Sequence, residues 1–343
     1  MPRVPLSVLD LATVREGCDS ADAVRATTSA ARTADELGYA RFWVAEHHNM
    51  PAVASTSPPV LMAHLAASTS RIRVGSGGVM LPNHQPFVVA EQFALLEALH
   101  PGRVDLGIGR APGSDSATAA ALRGGSAHAG VDDFPANLKA VMALLGDERV
   151  VSGQTAHLRA TPAPTSFPDV WVLGSSTYGA QVAAAYGLPF AYAHHFAMGN
   201  GLDQAVELYR SGFRPSPRWP EPHLMVSASV IAAETTERAR YLAGPSRIMS
   251  LSLRTGRLRP VLSPEAAAAY DASPVEQSLL ASLPGTQHVG TGAEVVASLD
   301  ELVARTGADE VLLAGVEHDP ATRQDTLRAV AAAWGLGRAA RAA

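Results

Sequence analysis

With 343 residues, 47% of them hydrophobic and 17% charged, the chain has the apolar content of a cored globular protein, far from a disordered composition. Its net charge of −5, with no basic stripe, argues against nucleic acid as a partner. No apolar stretch approaches the ~20 residues of a membrane span, and the single cysteine, Cys18, excludes an internal disulfide framework and a thiolate metal cluster. The opening MPRVPLSVLD has no basic-then-apolar leader pattern, so a soluble, cytoplasmic protein is expected. Lys139 is the only lysine, so any cation in a site is expected to be a permanently charged guanidinium.

In chain order, short β-rich runs each lead into a helical stretch. VPLSVLD (4–10) precedes a helix predicted from Ser20 to Leu37, with Gly38 as its stop. RFWVA (41–45) precedes a helix opening at Pro58-Pro59, and IRVGSGG (72–78) one opening at Pro86. RVDLGIG (103–109) leads through a Gly-rich loop into a helix over 132–145. VWVLG (170–174) and LPFAYA (188–193) precede helices over 176–186 and 201–211. MVSASVIAA (225–233) and EVLLAGV (310–316) lead into helices from 234 and over 320–334. Strict alternation implies parallel strands with right-handed crossovers, and eight units imply a single closed (β/α)8 TIM barrel over 1–343, with a doubly wound sheet as the rival.

Segments 110–130, 145–168 and 245–290 exceed a minimal unit and are rich in Gly, Pro, Ser or Thr. The long insertions after strands 4 and 7 should wall the barrel mouth, with 245–288 as the lid. PPVLMAHLAAS (58–68) and PFVVAEQFALLEAL (86–99) are apolar almost all round. An outer-ring helix needs a polar face unless something covers it, so a homodimer through these two helices is expected.

Candidate site residues fall where strands end. Glu46, His47 and His48 follow strand 2; they are either a chemical group or buried histidines satisfied by the acid. Gly77 and Gly78 end strand 3, as a plain turn or as a close approach by a flat ligand. Arg110 ends strand 4, suited to a phosphate, a ring carbonyl or a surface ion pair. Gly174, Ser175, Ser176 and Thr177 open a helix after strand 5, as an anion seat or simply as an N-cap. His194 and His195 follow strand 6 and could supply further ligands for a metal site with His47 or His48, but no metal is expected. His64 reads as structural, and His84 as a minor contributor to the mouth. In a barrel all these strand ends meet at one mouth.

AEHHN (45–49), RIRVGSGGVMLPNHQPFVVAEQFALLEALHPGRVDLGIGRAPG (71–113), WVLGSSTYGAQVAAAYGLPFAYAHHF (171–196) and GTGAEVVASLDELVARTGADEVLL (290–313) together resemble the bacterial luciferase-like flavin monooxygenases, single-subunit members above all. The resemblance spans nearly the whole chain and implies a (β/α)8 barrel that binds reduced FMN (FMNH2). With O2 as co-substrate it would form a C4a-peroxyflavin and oxygenate a small organic molecule, as in a tailoring step of secondary metabolism. By the same resemblance His47 is the catalytic histidine, flanked by Glu46 and His48. Gly77-Gly78 is the small pair whose cis peptide supports the flavin ring, Arg110 contacts the flavin, and Gly174, Ser175 and Ser176 hold its phosphate. A separate flavin reductase would supply FMNH2. Gly109 stands where the light-emitting enzyme has a reactive cysteine, and Ser175-Ser176 where it has Glu-Ser. The same superfamily leaves two other readings, an F420-dependent hydride-transfer oxidoreductase and a non-catalytic flavin-binding protein.

Overall fold

The structure, a computed structural model, describes residues 3–151, 153, 155–163, 165–196, 201–283 and 287–337. Its strands are β1 (Leu6–Asp10), β2 (Arg41–Val44), β3 (Arg73–Ser76), β4 (Val79–Met80), β5 (Val104–Gly109), β6 (Asp169–Gly174), β7 (Phe190–Tyr192), β8 (Leu224–Ala232), β9 (His288–Gly290) and β10 (Glu310–Ala314). All but β4 and β9 form one parallel series, β10-β1-β2-β3-β5-β6-β7-β8, and β8 pairs β10 to close it. The chain is thus a (β/α)8 barrel, and its eight barrel strands are the eight read from the sequence. The two short strands were not expected. β4 resumes pairing with β5 just past Gly77-Gly78, and β9 extends the far end of β8 outside the barrel.

Helices start and stop where local chemistry permits. The first, Ser20–Leu37, is capped reciprocally by Asp19 and Asp22 and stopped by Gly38 at φ 85°. Pro58–Ser68 and Pro86–Leu99 both carry proline in the first turn, where its missing N–H costs nothing. They bury Leu61, Met62, Leu65, Val89, Ala90 and Phe93 against the barrel. Their outer faces keep Val60 70%, Val88 49%, Leu95 50% and Leu99 58% exposed, an apolar strip with no partner among the described residues.

Alternation sends every second strand residue into the barrel, and those residues form layers. The lowest is ionic. Arg41 Nη1 grips both oxygens of Asp105 at 2.8 and 2.9 Å and its Nε reaches Glu310 at 3.1 Å, while Arg73 pairs with Asp105 and Asp169. Next come Trp43 and Trp171, edge to face at 5.3 Å, with the Trp43 indole N–H donating to Asp105 at 2.9 Å. Gly75 must lack a side chain here, because a Cβ would stand 2.3 Å from that indole nitrogen. The tryptophans plug the barrel. Above them the inward series ends mostly in small residues, with Ala45 on the β2 side, Gly77 after β3, Gly109 on β5 and Ala314 on β10, and with Leu173 above Trp171 on β6. Large residues fill the floor and small ones leave a cup at the C-terminal rim.

The insertion after β8 holds a 20-residue helix, Thr236–Thr255, then Pro264–Ala268 and Pro274–Ser282, before β9 and the outer-ring helix Gly292–Thr306. Residues 245–255 of the expected lid therefore complete a long helix, and 284–286 lie outside the described residues. Its middle is strapped down: the Val261 N–H donates to the Val14 carbonyl at 2.9 Å, and the Val261 carbonyl accepts from the Glu16 N–H at 2.8 Å. No helix among the described residues is long and apolar enough to cross a membrane.

Candidate active site

Past β2 the chain leaves the sheet and its three titratable residues diverge. Glu46 turns inward to full burial. Its Oε1 accepts from His48 Nε2 at 2.8 Å and His84 Nε2 at 2.7 Å, and Oε2 accepts from the Met80 N–H at 3.0 Å. Burial alone would raise this carboxyl, but the bonds from His48 and His84 outweigh it and hold it at about 2. Glu46 is therefore an anion at any working pH, and it ties the chain after β2 to the chain after β4. Sequence reading placed Glu46 and His48 beside the chemistry; the structure commits the carboxylate of one and Nε2 of the other to each other.

His47 is different. Its backbone N–H donates to Ser55 at 3.0 Å and its Nδ1 lies 3.3 Å from the Gly113 carbonyl. A carbonyl only accepts, so Nδ1 carries the proton and Nε2 is left as a base with no partner among the described residues. Burial lowers the affinity of this ring for a second proton, so it stands neutral near pH 7. Gly113 makes the arrangement: its φ is +65°, and a Cβ would lie 2.6 Å from the Glu46 carbonyl oxygen. The His48 backbone N–H also donates to Gly113, at 3.0 Å.

Gly77-Gly78 follows β3 under the rim, and its peptide bond is cis. A Cβ on Gly77 would come within 2.6 Å of Leu9 Cδ1, and one on Gly78 within 2.8 Å of the Gly107 carbonyl oxygen. Gly78 has no room for a side chain against backbone, and Gly77 would displace the Leu9 methyl, so the pair leaves a flat, bare strip of backbone.

Farther round the rim, Gly174 ends β6 and Ser175 and Ser176 stand exposed ahead of the helix Thr177–Tyr186. Ser176 occupies the N-cap position without making a capping bond, so the first N–H groups of this helix point out unanswered. Arg110, exposed at the end of β5, lays its guanidinium over the Tyr178 ring at 4.0 Å in the first turn of that helix. No carboxylate pairs with Arg110 among the described residues. A helix N-terminus and an unpaired guanidinium, held side by side, form an anion seat.

Gly113, Tyr178 and Ser227 escaped sequence reading. Gly113 and Tyr178 each lay within a quoted motif with nothing local to mark its partner. Ser227 could have been found, since it follows Met225 by two on β8 and must face the cup.

The model of the luciferase-like monooxygenase family matches residues 4–310. A protein of Escherichia coli K12 named luciferase-like monooxygenase is 41% identical over 320 residues, covering 93% of this chain and 94% of its own length. The crystal structure of apo-MsnO8 superposes with a TM-score of 0.88 at 35% identity, covering 97% of this chain and 99% of that one. The FMN complex of the oxygenating constituent of 3,6-diketocamphane monooxygenase from Pseudomonas putida superposes at 0.67 with 19% identity, covering 96% and 97%, a likeness of fold.

Proposed function

The chain belongs to the luciferase-like monooxygenase family, and from that premise we propose that it is an FMNH2-dependent enzyme that uses O2 to oxygenate a small organic substrate. The observation that carries this reading is that the anion seat, the bare Gly77-Gly78 strip and the free Nε2 of His47 all stand on the C-terminal rim of one barrel. The fit to FMN is chemical. Arg110 and the N-terminus of Thr177–Tyr186, with Ser175, Ser176 and Thr177, would take the phosphate, and the glycine strip would lie against the flat ring.

Bound and reduced, FMN would supply the electrons that activate O2. His47 would accept or pass a proton at Nε2, and the hydrogen bond from its Nδ1 to Gly113 fixes which nitrogen does so. Glu46, His48 and His84 would act by holding that loop in place. The apolar floor under the cup and the strapped insertion after β8 would keep water from the reacting atoms, with that insertion as the lid. No second nucleotide-binding module was recognised in the sequence, so a separate reductase would deliver the reduced flavin. The apolar strip carrying Val60, Val88, Leu95 and Leu99 would join two copies.

Anaerobic titration tests this reading. FMNH2 should bind while reduced riboflavin, which lacks the phosphate, should bind at least about tenfold more weakly, and Arg110→Ala should shrink that difference. Addition of O2 to the loaded protein should then consume it. Equal binding of the two flavins by the unaltered chain would sink the assignment of the anion seat. Retention of F420 in place of FMN, with turnover that needs no O2, would transfer the chain to hydride transfer.

A further inference from the structure

A second histidine faces the same cup, and nothing above uses it. His195 lies past the end of β7, and its backbone N–H and Nδ1 both converge on the Ser227 hydroxyl, at 3.3 and 2.6 Å. Ser227 is buried on β8, and its hydroxyl reaches the Tyr192 carbonyl at 3.2 Å. A serine hydroxyl has one proton to give and two lone pairs to receive. All three contacts are satisfied only if Ser227 donates to Tyr192 and accepts twice from His195. Nδ1 then carries the imidazole proton, and Nε2 is a bare acceptor.

Position fixes where that acceptor lies. On β8 the residues alternate, Met225 belongs to the interior layer with Trp43 and Trp171, and Ser227 is the next inward residue above it. The His195 ring, held to Ser227, therefore stands in the wall of the cup just above the tryptophan floor. Nε2 makes no hydrogen bond among the described residues. Burial, together with the His194 and His47 rings nearby, holds His195 down to about 4, so the ring is neutral under working conditions. One of its nitrogens is pinned and the other left open.

We propose that His195 is a substrate-anchoring residue, its Nε2 accepting a hydrogen bond from a hydroxyl or N–H of the substrate while Ser227 locks the ring in the tautomer that can do so. The substrate class that follows is a small organic molecule bearing a protic group near the atom oxygenated, and a purely aliphatic aldehyde would leave Nε2 unanswered. A buried acceptor left without its donor disfavours the wrong ligand more than the bond itself favours the right one, which is how such a residue confers selectivity. The proposal rests on the flavin reading only in taking the cup as the substrate site.

Two measurements test it. The first uses the chain without flavin. Long-range nitrogen–proton NMR of the histidine rings, with the His195 signals identified by their loss in His195→Gln, should show the neutral Nδ1–H tautomer, and Ser227→Ala should remove that bias. A neutral Nε2–H ring in the unaltered protein overturns the proposal. The second uses the FMN-loaded protein and follows the flavin spectrum during titration with phenol, a donor, and anisole, its methylated match. Phenol should bind about tenfold more tightly. His195→Leu should bring the two to parity with FMN affinity unchanged, and His195→Gln, which keeps an acceptor, should recover part of the preference. No preference in the unaltered protein, or one that survives His195→Leu, overturns the proposal. Failure to take up FMN at all would refute the flavin reading instead, and the NMR result would then decide this one.

Discussion

Three residues in a row, Glu46, His47 and His48, do three different things because each meets a different partner. The acid meets two imidazoles and an N–H in full burial and stays ionised. Its neighbour meets one carbonyl and keeps a lone pair free. The sequence displays the residues but not these partners, since Gly113 and His84 lie 66 and 38 positions from the groups they bind. That is why the motif was legible while its division of labour was not. His47→Ala removes the free Nε2 base and only one side-chain hydrogen bond, that to Gly113, so FMN affinity should stay within about twofold. The yield of oxygenated product per reduced flavin should fall by about two orders of magnitude, the usual worth of a placed general base. Flavin titration beside product analysis checks both, and an undiminished yield would remove His47 from its role.

At the scale of elements, alternation of apolar runs with capped helices made all eight barrel strands readable, because each signal is local. β9 and the long insertion after β8 were less readable, since their shape depends on what they pack against. The strap from Val261 to the chain after β1 joins residues nearly 250 apart by backbone bonds that leave no mark in side-chain pattern. The two proline-started helices are the clearest case of an element whose composition exceeds its needs in one chain. Each buries one face, and each still exposes Val or Leu on the other. If a second copy covers that strip, a charge in its middle must be desolvated without a partner. Leu95→Arg should therefore convert a dimer to a monomer in light scattering at micromolar concentration while leaving the far-ultraviolet circular dichroism unchanged. A monomeric unaltered chain would refute the dimer outright.

Across the whole molecule, the cost of burying so many imidazoles appears as acid sensitivity. His195 and His288 are each held down to about 4, by burial first and then by the His194 ring, against an unfolded value of 6.5. Their folded forms refuse a proton that the unfolded chain accepts. Stability is therefore full above about pH 6.5 and is lost as pH falls toward 4. Glu317 works the other way. Burial raises its carboxyl, so the folded chain holds that proton longer and regains some stability as pH falls. Glu46, held at about 2, adds its loss only below about 4.5. Burial lowers His47 and His194 as well, so one carboxyl set against these rings leaves the histidines ahead, and His195 and His288, each worth ~1.4 kcal/mol per pH unit, would together remove at most roughly 4 kcal/mol between pH 6.5 and 5. Urea unfolding at pH 7, 6 and 5 should show the midpoint falling steadily across that range. His288→Gln keeps a polar side chain near Ser298, which His288 Nδ1 reaches at 2.8 Å, and removes one of the two rings held down to about 4. It should flatten the slope, whereas a midpoint that does not move between pH 7 and 5 would mean that these rings are not shielded from protons as the barrel geometry requires.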